Sequence, residues 1–377
     1  MPSWPPSGMT ELSVRARELS ALAARDADLA DTAGALSPAV AEGIVGAGFA
    51  GHFVPARFGG RAGSARELLE GVAALAEGCT SAGWCASVLA GASRMGAFLP
   101  DEGQAELWAK GPETAVVGAL MPRGGATEVS GGWRVSGEWN FTSAVGFSDW
   151  ALVCALVPRG GGREPWFLAL PREDFRVADT WTSVGMRGTG SNTLLADNVF
   201  VPAHRAFARQ EMAEGRAVGS DARCHTVPLR LVSGLLFGAP ALGAARAALR
   251  VWADDSRTGA REEEPGLRIA LSRAVVAVGA AQLLMERAAG VADAPRAGAL
   301  DVLRSPAECA FAVEQLVDVV ERLLRSCGST AQLAGHPLQR LWRDVHSLSS
   351  HVALRFDPAA AAYGSGLLSA DGGICAA

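Results

Sequence analysis

Thr142 and Ser143 close the run Val135-Ser-Gly-Glu-Trp-Asn-Phe-Thr-Ser143, directly after Trp139 and Phe141. A hydroxyl beside an aromatic wall can hold a flat ligand by a hydrogen bond, or it can satisfy the amides of a turn. Farther on, Gly185-Met-Arg-Gly-Thr-Gly-Ser-Asn192 gathers Gly188, Thr189, Gly190 and Ser191. Glycines there let backbone approach a ligand closely, and they equally make an ordinary β-turn. Arg187 carries a planar fork suited to a phosphate or a carboxylate, or to the surface. His351 has an unshifted pKa near neutrality, which suits a base. The plainer alternative is a core histidine satisfied by a carbonyl. On a continuous helix, Asp344 lies two turns before it on the same face, whereas His346 points elsewhere. Arg340, Arg343 and Asp344 read as an interhelical ion pair plus an i,i+4 Arg340–Asp344 pair. His204 and His225 read as surface groups or caps.

Three kinds of element must position these residues. Residues 1–112 read as α-helical. Apolar Leu12, Leu19, Leu22 and Leu29 alternate with charged residues at helical spacing from Glu11 to Leu36. Ser37-Pro38 reads as an N-cap with proline at the first helical position. Ser64 and Glu67 have capping-box spacing, and the small apolar run Thr80 to Phe98 suits a buried helix. Residues 113–212 change character. Strands are expected at 115–121, 133–141, 150–157, 166–170 and 193–201, separated by turns at Gly124-Gly125, Gly131-Gly132 and Gly160-Gly161-Gly162. No helix separates them, which predicts an antiparallel barrel or sandwich. Residues 213–377 return to helices, near 226–254, 266–290, 305–333 and 337–356, with a shorter one after Pro358. Four long helices with short connections predict a bundle.

The chain has 377 residues, 49% hydrophobic and 19% charged, enough for a large core in two or three lobes. A net charge of −5 with no Lys/Arg block gives no reason to expect nucleic acid or a membrane surface. The uncharged stretch Leu231 to Ala245 is too short for a span and contains Pro240, so a buried bundle helix is the reading. Seven cysteines form no CxxC pair and no Cys/His metal spacing, so no metal is expected, and reduced thiols in a cytoplasm fit best. Met1 to Gly8 lacks the basic and apolar parts of a signal peptide.

Three segments together resemble the acyl-CoA dehydrogenase superfamily. The first runs from Trp181 through Gly185-Met-Arg-Gly-Thr-Gly-Ser-Asn192 into Asp197-Asn-Val-Phe-Val-Pro202. The second is the Trp139-to-Ser143 run with Trp150, and the third is His336-Pro-Leu-Gln-Arg-Leu-Trp-Arg-Asp-Val-His346 on to His351. The resemblance covers Phe49 to Leu368. It is nearest to the two-component flavin monooxygenases, which include p-hydroxyphenylacetate and steroid-phenol hydroxylases, dibenzothiophene oxygenases and amino-sugar N-oxygenases. It implies an α+β chain with an N-terminal helical domain, a middle antiparallel β domain and a C-terminal four-helix bundle. It also implies reduced FMN or FAD from a separate NAD(P)H:flavin reductase, a C4a-hydroperoxyflavin, an aromatic, polycyclic or amine substrate, and a homotetramer. Catalytic roles would fall to His351, Ser143 and Thr142. The flavin would lie against Trp139, Phe141, Thr142, Ser143 and Met121, with Arg187, Gly188, Thr189, Arg257 and Gly328 toward its other parts. Trp84, Ala92, Ser93, His346 and His351 would meet the substrate.

A dehydrogenase of this superfamily needs a carboxylate to take the substrate's α-proton. Val352 and Ser233 stand at the two places that supply it, and no Asp or Glu occurs between Asp221 and Asp254. The adenosine-binding set also looks eroded at Arg257 to Glu264, which favours FMN or a transiently bound flavin. Ala92 and Ser93 replace a second histidine of several aromatic hydroxylases, which shifts the expectation toward an N-oxygenase or a larger polycyclic substrate. A desaturase or oxidase with a relocated base, and a non-catalytic binding relative, are the alternatives.

Overall fold

The architecture is that of a computed structural model describing residues 10–257 and 265–369. The long first helix expected from periodicity is two helices, α1 (Glu11–Arg25) and α2 (Ala27–Ala33). The break falls at Asp26, whose carboxylate accepts the Ser37 hydroxyl at 2.5 Å. Ser37 caps α3 (Pro38–Gly46) by accepting from the Val40 N–H. The Ser64/Glu67 capping box opens α4 (Ala65–Ala76). Next comes α5 (Thr80–Gly96), nearly all buried. Its small residues allow close packing: a Cβ on Gly83 would sit 2.6 Å from that of Ala76. A short α6 (Asp101–Leu107) follows.

The middle lobe is one seven-stranded sheet. Its strands are β1 (Val116–Val129), β2 (Gly132–Trp139), β3 (Trp150–Arg159), β4 (Gly162–Pro171), β5 (Arg176–Ala178), β6 (Thr193–Pro202) and β7 (Ala206–Ala208). Their order is β5-β6-β2-β1-β3-β4-β7. One pair corrects the antiparallel expectation: β1 runs parallel to β3, with a register shift between Ala119 and Gly124. Gly124-Gly125 is therefore not a turn but part of β1. The reason is Trp139, whose ring lies over Gly124 and Gly137; a Cβ on Gly124 would come within 2.3 Å of it.

Two short helices, α7 (Arg209–Glu214) and α8 (Arg223–Thr226), lead into the bundle. The bundle comprises α9 (Leu229–Arg257), α10 (Pro265–Asp293), α11 (Ala299–Ser326) and α12 (Pro337–Ser349), with α13 (Phe356–Ser369) laid on α11. The uncharged run Leu231 to Ala245 forms the buried part of α9, against which α4 and α5 also pack. The N-terminal helices and the bundle thus share one apolar core. One boundary matters for chemistry. The expected helix 337–356 stops at Ser349, and His351 caps a separate 3-10 turn, Val352–Leu354. The continuous helical stripe from Asp344 to His351 does not exist.

Candidate active site

Trp84 on α5 joins three elements. Its indole Nε1 donates to the Ser143 hydroxyl at 2.9 Å, in the turn after β2. Its ring packs against Phe237 of α9 at 5.3 Å and meets the edge of His351 at 5.7 Å. Phe237 and His351 stack at 3.7 Å. The β-turn hydroxyls and His351, far apart in sequence, therefore flank one tryptophan.

On the β side, hydroxyls form a chain. The Ser143 and Ser191 oxygens lie 2.7 Å apart, and those of Ser191 and Thr189 lie 2.6 Å apart. Thr189 Oγ1 donates to the Met186 carbonyl at 2.8 Å. Thr142 is fully buried and donates to the carbonyl of Trp139, so it serves its own turn, the plainer of the two readings. The Gly-rich run folds as a loop pressed onto α12: a Cβ on Gly185 would lie 2.2 Å from the Arg343 carbonyl oxygen. Met186 there adopts a left-handed φ of 56°, a conformation that costs a side-chain-bearing residue energy. Asp344 offsets this by accepting the Met186 N–H at 2.5 Å. Burial pushes the Asp344 carboxyl up to about 6, against the opposing pull of that N–H and of Arg340 and Arg343. The expected Arg340–Asp344 pair is replaced by Arg340–Asp28 and Arg343–Asp31, which tie α12 to α2.

On the bundle side, His351 differs from the neutral-pH base expected of it. Burial alone, between the rings of Trp84 and Phe237, pushes its pKa down to about 4. No charged group contributes to that shift. Its Nδ1 accepts the Ala353 N–H at 3.2 Å, which assigns the ring proton to Nε2. The ring is thus neutral at pH 7 and presents a donor. No Asp or Glu is among the groups that Trp84, Ser143, Phe237 or His351 bond or stack upon.

The other expected site residues divide. Phe141, 71% exposed at φ 63°, and Met121, 58% exposed, offer apolar surface on the β-lobe. Trp139 does not: it is buried and donates to the Cys154 carbonyl, so it belongs to the sheet's core. Arg187 is committed to the carbonyls of Asp31 and Ser183 rather than displayed to a ligand. Gly188 is needed for packing, since a Cβ there would meet Ala30 at 3.0 Å and Ser81 at 3.1 Å. Gly328 makes a left-handed turn beyond α11. Arg257 ends α9, its side chain lying outside the described residues, as does the segment through Glu264. Ser93 is nine residues beyond Trp84, half a turn around α5, and is buried away from it. Ala92 packs toward Gly118 of β1. Val88 and Gly91 share Trp84's helical face instead. His346 turns to α11, its ring tilted against Trp342 and facing Glu321 at 3.8 Å. His225, expected as a surface group or a cap, is buried between Ser220 and the Phe53 carbonyl. Two contributors were missed. Ser191 had been read only for backbone approach. Phe237 was visible as the one aromatic in the uncharged run 231–245.

Residues 235–356 match the acyl-CoA dehydrogenase C-terminal domain family. The fold is that of 3-HSA hydroxylase from Rhodococcus sp. RHA1, with a TM-score of 0.91 at 24% identity over 96% of this chain and 98% of that one. It is also that of XiaF from Streptomyces sp. in complex with FADH2 and glycerol, with a TM-score of 0.90 at 23% identity over 96% and 97%. In sequence the chain is 29% identical over 356 residues to the oxygenase component of the FADH(2)-dependent resorcinol hydroxylase of Rhizobium sp. (strain MTP-10005), covering 86% of this chain and 85% of the relative. The bundle segment thus resembles the acyl-CoA dehydrogenase C-terminal domain, and the whole chain shares its fold with these two structures. Its relatives in sequence are themselves oxygenase components of flavin-dependent enzymes.

Proposed function

We propose that this chain is the oxygenase component of a two-component flavin monooxygenase, which hydroxylates an aromatic substrate with reduced FMN or FAD supplied by a separate NAD(P)H:flavin reductase. The observation that carries the reading is Trp84, bonded to Ser143 and packed against Phe237 and His351 rather than against a carboxylate. Reduced flavin, when bound, activates O2 so that one oxygen atom enters the substrate and the other leaves as water.

The residues present fit such a group. Exposed Phe141 and Met121 offer apolar surface for a flat ring, and Ser143 retains one unused acceptor position. The aromatic rings of Trp84, Phe237 and His351 keep water from the reacting region. His351 Nε2–H would hold a substrate oxygen as a donor, since a ring with a pKa of about 4 is a weak base at neutral pH. Val352 in place of a carboxylate gives no base for desaturation. The test is incorporation of label from 18O2 into product when the chain, a flavin reductase, NADH and a panel of phenols are combined. Product without label would contradict the proposal, as would NADH consumption that yields only peroxide with every phenol.

The assembly reading is a homotetramer built through α10. Ile269, Val276 and Leu283 lie exposed at seven-residue spacing, the period of a helix–helix seam. Charged Arg268 and Arg273 on the same helix suit a protein seam better than lipid. Sedimentation should give a tetramer that Val276→Glu dissociates; a monomeric wild type would contradict it. No disulfide joins the six cysteines among the described residues, which suits a cytoplasmic setting.

A further inference from the structure

Both ends of the hydroxyl chain have a fixed direction. A carbonyl can only accept, so Thr189 must donate to Met186. Its single proton is then spent, and it can only accept from Ser191. Ser191, its proton spent on Thr189, can only accept from Ser143. At the other end, an indole N–H can only donate, so Ser143 accepts from Trp84. The order is Trp84 to Ser143 to Ser191 to Thr189 to the Met186 carbonyl. That carbonyl also accepts the Trp181 indole N–H at 3.1 Å. Met186 itself is fastened to α12 through Asp344.

We infer that Ser191 and Thr189 are positioning residues that turn the Ser143 proton away from the ligand, making Ser143 an obligate acceptor that selects the reduced over the oxidised flavin. This rests on the flavin reading above. Ser143 has one lone pair left, so any polar ligand atom that reaches it must be a donor. Reduced flavin has an N–H at N5, whereas oxidised flavin has only a lone pair there. A hydroxyl that donates down a chain is also a stronger acceptor. Facing two lone pairs leaves both unsatisfied, a larger loss than a bond merely weakened.

The experiment is anaerobic titration of the whole protein with FMN in each redox state, for wild type, Ser191→Ala, Ser191→Thr and Thr189→Val. Wild type should bind the reduced form more tightly. In Ser191→Ala and Thr189→Val the Ser143 proton is free to face the ligand. The reduced-to-oxidised affinity ratio should then fall about tenfold. The midpoint potential of bound FMN would drop by about 30 mV. Ser191→Thr keeps a hydroxyl and should keep the ratio. A general loss of structure would weaken both redox states together, and Thr189→Val covers the case of an unfolded Ser191→Ala. A wild-type preference for reduced FMN that persists in both chain-breaking variants overturns the inference and leaves the flavin reading standing. Binding of neither redox state by the wild type removes the flavin reading and this inference with it.

Discussion

The β-lobe wall and the bundle wall of the site handle polar groups differently. On the β side every hydroxyl from Ser143 to Thr189 is bonded, in an order set at both ends. On the bundle side, Phe237 and His351 present two stacked rings, and the imidazole accepts a bond from its own turn at Ala353. A fully bonded network is rigid and suits a ligand of constant shape. An apolar wall with one available donor accommodates substrates that vary. On the proposed function, the β side would serve the cofactor and the bundle side the substrate, with Trp84 touching both walls.

Removing that shared residue should have the largest effect. Trp84→Ala opens a cavity in both walls and should cost about 3–5 kcal/mol of stability. Denaturant melts would report it, and turnover should fall with the loss of order in both walls. Trp84→Phe keeps one six-membered ring but loses the pyrrole ring along with its bond to Ser143, so it should cost less than the alanine variant, about 1–3 kcal/mol. Equal costs for the two variants would mean that packing against Phe237 and His351 contributes nothing.

His351→Ala should separate the walls. Turnover should fall about a hundredfold or more, if His351 handles the substrate oxygen. The affinity for reduced FMN should stay within about twofold of wild type, a small change on the scale of affinities. A flavin affinity that collapsed along with turnover would show that the two walls are not divided in this way.

Two groups at the C-terminal end of the bundle, His351 and Asp344, should answer pH in opposite senses. Folded His351 resists protonation down to about 4, against an ordinary 6.5, so the unfolded chain binds more protons in that window. Its contribution to stability is therefore lost as pH falls from 6.5 toward 4. Folded Asp344 keeps its proton up to about 6, against an ordinary 3.8, so the folded chain binds more protons and stability is lost as pH rises through that window. Relative to wild type, His351→Phe should gain stability between pH 6.5 and 4, and Asp344→Asn should lose it. Slopes of the same sign in guanidinium melts would contradict the burial ascribed to one of the two groups.

Much of this was legible in the sequence, and the misses share a cause. Local signals held: the Ser37 cap, the Ser64/Glu67 box and the strand expected at 133–141 each depend on neighbours within a few residues. The change from helices to strands to helices was equally plain. The helix break before His351 was not visible, because Ser349-Ser350 carries no proline or glycine to announce it. Gly124-Gly125 looked like a turn because the residue that requires Gly124, Trp139, lies on the neighbouring strand. Arg187 looked available because its partners, the Asp31 carbonyl above all, come from another lobe. Among site residues, Trp84, Ser143 and His351 were named and do meet. Phe237 stands out in the sequence as the one aromatic in the run 231–245, but its stacking on His351, like the place of Ser191 in the hydroxyl chain, depends on residues far away in the chain.

The most direct measurement is a crystal structure of the protein soaked anaerobically with reduced FMN. The account predicts the flavin ring between the Ser143 turn and His351, with its N5 nitrogen within hydrogen-bonding reach of the serine oxygen. A ring bound elsewhere, or one with an acidic side chain seated against it, would contradict the account.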